Sequence, residues 1–352
     1  MNNDSSTDSG AAAVREPFRF DEQRLDAYLR AYVDGYRGPL SVQQFTGGQS
    51  NPTYLLSTPN QQYVMRRKPP GQLLASAHAV DREYRVMRAL GIHTAVPVPK
   101  TVVLCTDESV IGTWFFIMER VRGRIFWDVS LPQIARALRP LYFDAMNAAM
   151  ASLHAADFAA IGLTDYGKPQ DYVRRQVKRW SRQYREDSAA GSVATMDRLL
   201  DWLNEHAPNS DEVSIVHGDF RCDNLVFHPS EPKVIAILDW ELSTLGHPLA
   251  DFGYNLMMYY SPTLAIPGLL GKDLPALNIP SPAQYIAAYC QRTGRSGIAD
   301  IDYYLAFNFF RFAAICHGIR GRLARGTAVG ERAREYAASV EQLAELGWSR
   351  CT

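Results

Sequence analysis

The sequence predicts an α+β chain in two lobes, a small antiparallel-sheet lobe first and a mainly helical lobe after it. Three observations carry this. Residues 40–120 read as strands, one helix, then strands. After Gly123 the apolar spacing turns helical for most of the remaining chain. An island of short apolar runs, "VSIVHG", "NLVFH" and "KVIAILDW", interrupts those helices. The 352 residues suit two lobes of ordinary size, and a hydrophobic fraction of 47% is enough to fill their cores. The expected division is a disordered tail over 1–15, an N-terminal lobe over 16–121 and a C-terminal lobe over 122–352.

The elements follow in order. Asp21 is the expected cap of a first helix, with Leu25, Tyr28, Leu29, Tyr32 and Val33 on one face. Gly35 and the Gly38-Pro39 pair stop it. "SVQQFTGGQSNPTYLLST" is two strands about a Gly-Gly turn, and "QQYVMRRK" is a third. Ala77 to Leu90 is helical, with Val80, Tyr84, Met87 and Leu90 on one face and Gly91 as its stop. "TVVLCTD" and "TWFFIMERV" form a strand pair. Later helices are expected over 131–156, 169–187, 192–206, 248–260, 281–292, 300–322 and 330–346, and the loop 261–280 is a candidate lid.

Composition excludes several classes. Lys+Arg and Asp+Glu are both 37, so no overall field recruits nucleic acid or an anionic membrane. No apolar run of about 18 residues is present, so no membrane span is expected. Five scattered cysteines, none in a C-x-x-C pair, point to reduced thiols and a cytoplasmic chain rather than disulfides or zinc. The sequence sets no oligomeric state.

The chemistry concentrates in "HGDFRCDN", His217 to Asn224, followed by "ILDWE". Phosphoryl transfer needs a carboxylate to orient the attacking hydroxyl, oxygen ligands for Mg²⁺, and positive charge on the equatorial phosphate oxygens. Asp219 and Asn224 stand five apart, the spacing of catalytic Asp and metal-binding Asn in protein kinases. Asp239 follows at the end of an apolar strand, where a metal-binding Asp belongs. Arg221 sits two after Asp219, placed for the γ-phosphate. His217 is read as holding this loop by hydrogen bonds, not as a base. His78 and His154 are read as packed residues, and the aromatic run 303–312 as core.

"HGDFRCDNLVF" with "LDWE" resembles the motifs of aminoglycoside phosphotransferases, choline kinases and related small-molecule kinases. Gly218 stands where protein kinases have Arg. The resemblance covers about residues 40–330 and implies a two-lobe protein-kinase-like fold, ATP and Mg²⁺, and a small-molecule hydroxyl acceptor. It makes Asp219 and Arg221 catalytic, Asn224 and Asp239 metal ligands, and Asp251 in "HPLADFGYNL" a structural brace of the catalytic loop. Gly47 and Gly48 would let the backbone approach phosphate, with Ser50 and Asn51 as donors. Arg66 takes the place of the usual Lys, braced by Glu83, with Lys68 as fallback; by alternation Val64, Arg66 and Lys68 share a face. Glu119 and Val121 would offer backbone C=O and N–H to adenine, with Met118 behind.

The run "YVMRRKPPGQLLASAHAVDREYRVM" is most similar to the kinase domain associated with acyl-CoA dehydrogenases, which implies a hydroxyacyl-CoA-type acceptor. Residues 255–352 carry ten Lys/Arg against seven Asp/Glu, and Arg311, Arg320, Arg322 and Arg325 fall near one helix end, which fits an anionic acceptor. The competing classes are an antibiotic (aminoglycoside) kinase and a nucleotide-binding pseudokinase, the latter favoured only by Arg66. A protein kinase is disfavoured by the missing A-P-E segment.

Overall fold

The computed structural model describes residues 10–45, 51–69, 79–263 and 268–351. Gly47, Gly48, Ser50 and His78, and the Pro-Gly end of "KPPG", lie outside them. In chain order the strands are β1 (Ala11–Ala12), β2 (Ser41–Phe45), β3 (Thr53–Ser57), β4 (Gln62–Arg67), β5 (Thr101–Cys105), β6 (Phe115–Glu119), β7 (Ser214–Val216), β8 (Leu225–Phe227), β9 (Val234–Ile237) and β10 (Thr244–Gly246). The helices up to the catalytic loop are α1 (Glu22–Tyr32), α2 (Val80–His93), α3 (Glu108–Ile111), α4 (Arg139–His154), α5 (Tyr172–Glu186) and α6 (Ala194–Glu205). After it come α7 (Pro248–Leu256), α8 (Leu274–Leu277), α9 (Pro282–Thr293), α10 (Ile301–Ala324), α11 (Glu331–Ala338) and α12 (Val340–Trp348).

The chain forms two compact units. The first comprises residues 1–125, 156–164 and 223–243, the second 126–155, 165–222 and 244–352. The first is built on a six-stranded antiparallel sheet ordered β1-β2-β3-β4-β6-β5. Asp21 caps α1 as expected, accepting from the Arg24 amide at 3.0 Å. Leu25 and Leu29 then bury against Tyr54, Met65, Phe115 and Ile117 of the sheet. Order begins earlier than the expected tail boundary: Ala11 and Ala12 pair with Phe45 and Gln44.

Gly91 does not stop α2. The helix runs on to His93 and ends where the Thr94 hydroxyl takes the Leu90 carbonyl at 2.7 Å. A Cβ at Gly91 would stand 3.2 Å from Val98 Cγ2, so close packing accounts for the glycine. The strand island divides into two pairs: β8 with β9 in the first unit, β7 with β10 in the second.

The second unit is helical around α10. Tyr303, Tyr304, Phe307, Phe309 and Phe310 on it are buried, as the aromatic run suggests. A 24-residue helix with apolar residues on all sides must itself be core, and α5, α6, α7, α11 and α12 pack against it. Among the described residues no helix is long and apolar enough to cross a membrane, and all five cysteines are free thiols. The candidate lid 261–280 contains α8, capped by Asp273.

Candidate active site

The second unit holds the candidate catalytic loop as far as Cys222. The chain leaves β7 at Val216 and turns at Gly218, whose φ of 81° suits a residue without Cβ. That requirement gives a local reason for glycine where protein kinases carry Arg. The turn is fixed from α7: Asp251 accepts the His217 amide on Oδ2 at 2.7 Å and the Gly218 amide on Oδ1 at 2.8 Å. His154 closes the other side of this carboxylate, with Nε2 at 3.2 Å from Oδ2 and Nδ1 at 2.8 Å from the Tyr289 hydroxyl. Burial opposes the Asp251 charge, yet the hydrogen bonds from His154 and the loop amides outweigh it and lower its pKa. His217 accepts the Asp219 amide on Nδ1 at 3.2 Å, the hydrogen-bonding role its position suggests.

Asp219 then projects from a loop fixed at both ends. Tyr254 of α7 donates its hydroxyl to Asp219 Oδ1 at 2.5 Å, and Arg221 Nε lies 3.3 Å from the same oxygen. Burial and the adjacent Asp219 carboxylate raise the Tyr254 pKa, so its hydroxyl keeps its proton. Arg311 of α10 donates to the Gly218 carbonyl at 2.8 Å and lies 5.1 Å from the Tyr254 ring centroid. Neither Tyr254 nor the Arg311 bond is visible in the motif. The one available signal was "DFGYNL", where Tyr254 stands three after Asp251 and so projects from the same side of a helix.

The first unit holds the arginine expected on the nucleotide side. Arg66 sits in β4 and Glu83 in the first turn of α2. The Arg66 guanidinium is 3.0 Å from Glu83 Oε2, donates through both Nη atoms to Asp239 Oδ1 at 3.0 Å, and is 3.8 Å from Glu241 Oε2. A planar guanidinium meets these carboxylates with five N–H donors in fixed directions, whereas an ammonium offers three rotatable donors from one point. Burial works against the Arg66 charge and the three carboxylates more than restore it, so its pKa is raised. Burial pushes the Glu83 carboxyl up to about 7 against the pull of Arg66. Asn51 donates to Glu83 Oε1 at 2.7 Å, so one of its amide hydrogens is committed there. Lys68, the fallback cation, lies 3.8 Å over the Trp114 ring.

The expected metal residues lie on one hairpin. Leu238 N donates to Asn224 O at 2.8 Å, so Asn224 and Asp239 leave neighbouring backbone positions. Asp239 has φ of 64°, a left-handed conformation that Asp tolerates, and its carboxylate is partly exposed. Glu119 pairs with Tyr63 in the sheet and donates its N–H to the Lys100 carbonyl at 2.9 Å; Val121 lies just past the strand.

Of the four arginines expected to make a basic acceptor side, two are ion-paired. Arg320 is bound by both Glu341 oxygens, at 2.7 and 2.5 Å, and by the Ala337 carbonyl. Arg325 is bound by Asp187 at 2.5 and 3.0 Å. Only Arg311 reaches the catalytic loop.

A profile described as the phosphotransferase enzyme family matches residues 41–300. The chain belongs to that family. It is 42% identical to acyl-CoA dehydrogenase family member 11 of Gallus gallus over 354 aligned positions, covering 97% of this chain and 45% of that protein. It is 41% identical to acyl-CoA dehydrogenase family member 10 of Mus musculus over 342 positions, covering 96% and 32%. The chain therefore spans about a third to a half of the length of these relatives. A crystal structure from Ralstonia eutropha JMP134, described provisionally as an aminoglycoside phosphotransferase, is 50% identical, with TM-score 0.88 over 95% of this chain and 98% of that one. The fold extends to aminoglycoside phosphotransferase APH(4)-Ia in complex with ADP and hygromycin B, at 15% identity and TM-score 0.61 over 94% and 98%. It extends also to choline kinase from Cryptosporidium parvum Iowa II, at 14% identity and TM-score 0.58 over 93% and 97%. The protein therefore has the two-lobe kinase-like fold of these phosphotransferases.

Proposed function

We propose that this phosphotransferase moves the γ-phosphate of ATP to an alcohol of a small molecule, and that the acceptor is a hydroxyacyl-CoA or a similar anionic metabolite. The observation that carries the reading is the Asp219 carboxylate, presented by an amide-anchored loop and held at one oxygen by Tyr254 and Arg221. In this reading Asp219 orients the acceptor hydroxyl and receives its proton. The acceptor oxygen bonds to the γ-phosphorus as the bond to the β,γ-bridging oxygen breaks, and ADP leaves. Arg221 neutralises charge on the transferred group. Arg66, held by Glu83, serves the nucleotide phosphates. Backbone at Gly47 and Gly48 and donors on Ser50 and Asn51 would cover them, while Glu119 C=O and Val121 N–H would serve adenine.

Asn224 and Asp239 would hold Mg²⁺, which when bound neutralises the β- and γ-phosphates. The donor set fits: Arg66 engages Asp239 Oδ1 and leaves Oδ2, and an amide oxygen with one carboxylate is the hard, partial shell that Mg²⁺ completes with phosphates and water. Among the described residues no group of three or more His, Cys, Asp and Glu forms a full protein cage, in keeping with a shell shared with substrate.

The acceptor class rests on the relatives: two acyl-CoA dehydrogenase family members match along nearly all of this chain. An aminoglycoside acceptor is the alternative, suggested by the Ralstonia description. Its polycation calls for an acidic surround, whereas Arg221 and Arg311 flank the catalytic loop. A pseudokinase is opposed by the presence of Asp219, Asn224 and Asp239 together.

The test is Mg-ATP-dependent ADP release against aminoglycosides, choline, homoserine and hydroxyacyl-CoAs, with Asp219→Ala as blank. The expected result is stimulation by the hydroxyacyl-CoAs alone, reduced about 10³-fold in the variant. Stimulation by aminoglycosides would replace the acceptor class; ATP binding with no stimulated release would favour the pseudokinase.

A further inference from the structure

Helix α5 is charged out of proportion to the chain. It carries Arg174, Arg175, Lys178, Arg179, Arg182 and Arg185 against the single carboxylate of Glu186, in a protein whose 37 cationic and 37 anionic residues cancel. All six cationic residues are exposed, while Val173, Val177 and Tyr184 fill the opposite face. A polar helix face is ordinary; a net charge this one-sided is a field for anions.

One flank of that face lines a concavity. Arg179, Arg182, Gln183 and Glu186 recur at positions that share a helix side, and with Asp187 and Arg325 they line an open groove of about 440 Å³. Its size lies in the small-molecule range of ~300–1,000 Å³. The groove is built by close helix packing. A Cβ at Gly321 of α10 would stand 2.1 Å from an Asp187 carboxylate oxygen, and one at Gly318 3.0 Å from Gln183 Nε2. Asp187 is committed to Arg325 at 2.5 and 3.0 Å. Arg182 is tied to Glu186 only at 4.0 Å, with both side chains more than two-thirds exposed, a contact worth little in water.

The groove is linked to the catalytic loop within the same unit. Arg311 donates to the Gly218 carbonyl, beside Asp219, and its guanidinium lies 5.9 Å from the Trp180 ring centroid. Arg179 lies 5.1 Å from that same ring. From Trp180 the lining residues continue along α5 to Asp187, two turns or about 10 Å further. An acceptor served here has its hydroxyl at one end and its negative charge well away from it.

We propose that the α5–α10 groove binds the phosphate-bearing end of a long acceptor of the coenzyme A thioester class, with Arg179 and Arg182 as its principal cationic contacts. The proposal rests on the acceptor reading above and adds where its anionic end lies. The pantetheine arm is long enough to span two helical turns, and the adenosine bisphosphate end carries the charge that α5 attracts.

The first experiment titrates the whole chain calorimetrically with adenosine 3′,5′-bisphosphate, the nucleotide site being filled with a non-hydrolysable ATP analogue. Binding is expected, weakened at least about tenfold in the double variant Arg179→Glu/Arg182→Glu, with thermal stability unchanged. The second compares KM for a hydroxyacyl-CoA and for the same acyl group on pantetheine. The double variant should raise the first at least about tenfold and the second less than about twofold. No bisphosphate binding, or equal binding by variant and wild type, overturns the groove even if hydroxyacyl thioesters are phosphorylated. Bisphosphate binding lost in the variant, without turnover of any thioester, supports the groove and overturns the acceptor reading instead. Preferential binding of anionic vesicles or RNA, lost in the same variant, overturns the proposal in favour of a macromolecular surface.

Discussion

Tyr254 gives its hydroxyl hydrogen to Asp219 Oδ1 and Arg221 stands 3.3 Å from the same oxygen, so one hydrogen bond and one ion pair fix one carboxylate rotamer. Tyr254→Phe removes one of them and leaves the ring in place. A hydrogen bond to a charged group contributes about 1.5–3 kcal/mol, so kcat should fall roughly 10- to 100-fold while acceptor KM changes little. Steady-state kinetics would show this, and an unchanged kcat would remove the positioning role. Glu83 offers a test by pH. Its carboxyl is pushed up to about 7 by burial, above its ordinary value of 4.5, so the folded chain binds that proton more tightly than the unfolded one. This contribution to stability is whole below about 4.5 and is lost as pH rises through about 7. Thermal melts should show a decline across that window that Glu83→Gln lacks; parallel curves for the two proteins would contradict it. The Arg66–Glu83 pairing was legible through the family resemblance, which puts Arg66 in the place of the usual Lys and Glu83 in that of its partner; alternation alone left Lys68 on the same face. Tyr254 and Arg311 were not legible, because their bonds to the loop join residues 35 and 93 positions apart.

Helix α7 carries its function at its first turn. Pro248 starts it, and Asp251 turns its carboxylate to the end of β7, where two consecutive amides of the catalytic loop need acceptors. Asp251→Asn keeps the shape and loses the charge and one acceptor. The loss should destabilise the protein by about 3 kcal/mol and lower turnover at least about tenfold. Denaturant unfolding and kinetics together check this; a fall in stability with unchanged turnover would make the brace structural only. Long or strongly patterned elements, such as the apolar run of α10 and the first three strands of the large sheet after β1, were readable from sequence alone. Helix ends were less so, as Gly91 shows: a glycine packed near Val98 inside α2 looks like a helix stop until the fold is seen. The cationic residues of α10 misled for the opposite reason. Arg320 and Arg325 are neutralised by Glu341 and Asp187, 21 and 138 positions away, and charge counting along the chain sees no partners.

At the scale of the molecule, formal neutrality hides an uneven surface, since α5 holds six cationic side chains within 15 residues. Neutral particles with patches of one sign attract each other when salt is low and the attraction is unscreened. Light scattering at pH 7 should give net attraction between copies at ~0.01 M salt, weakening by ~0.15 M as the screening length falls to about 8 Å. Attraction insensitive to salt would point to apolar patches instead. The two units have a further consequence, for inheritance rather than chemistry. The chain passes between them after Ile125, Ala155, Thr164, Cys222 and Ser243. A gene cut once at the first of these would carry off the large sheet with Arg66 and Glu83 but leave behind Asp239 and Glu241, the other carboxylates around that guanidinium. A single crossover therefore cannot exchange one unit for a cousin's, because each unit is assembled from three separate stretches of chain.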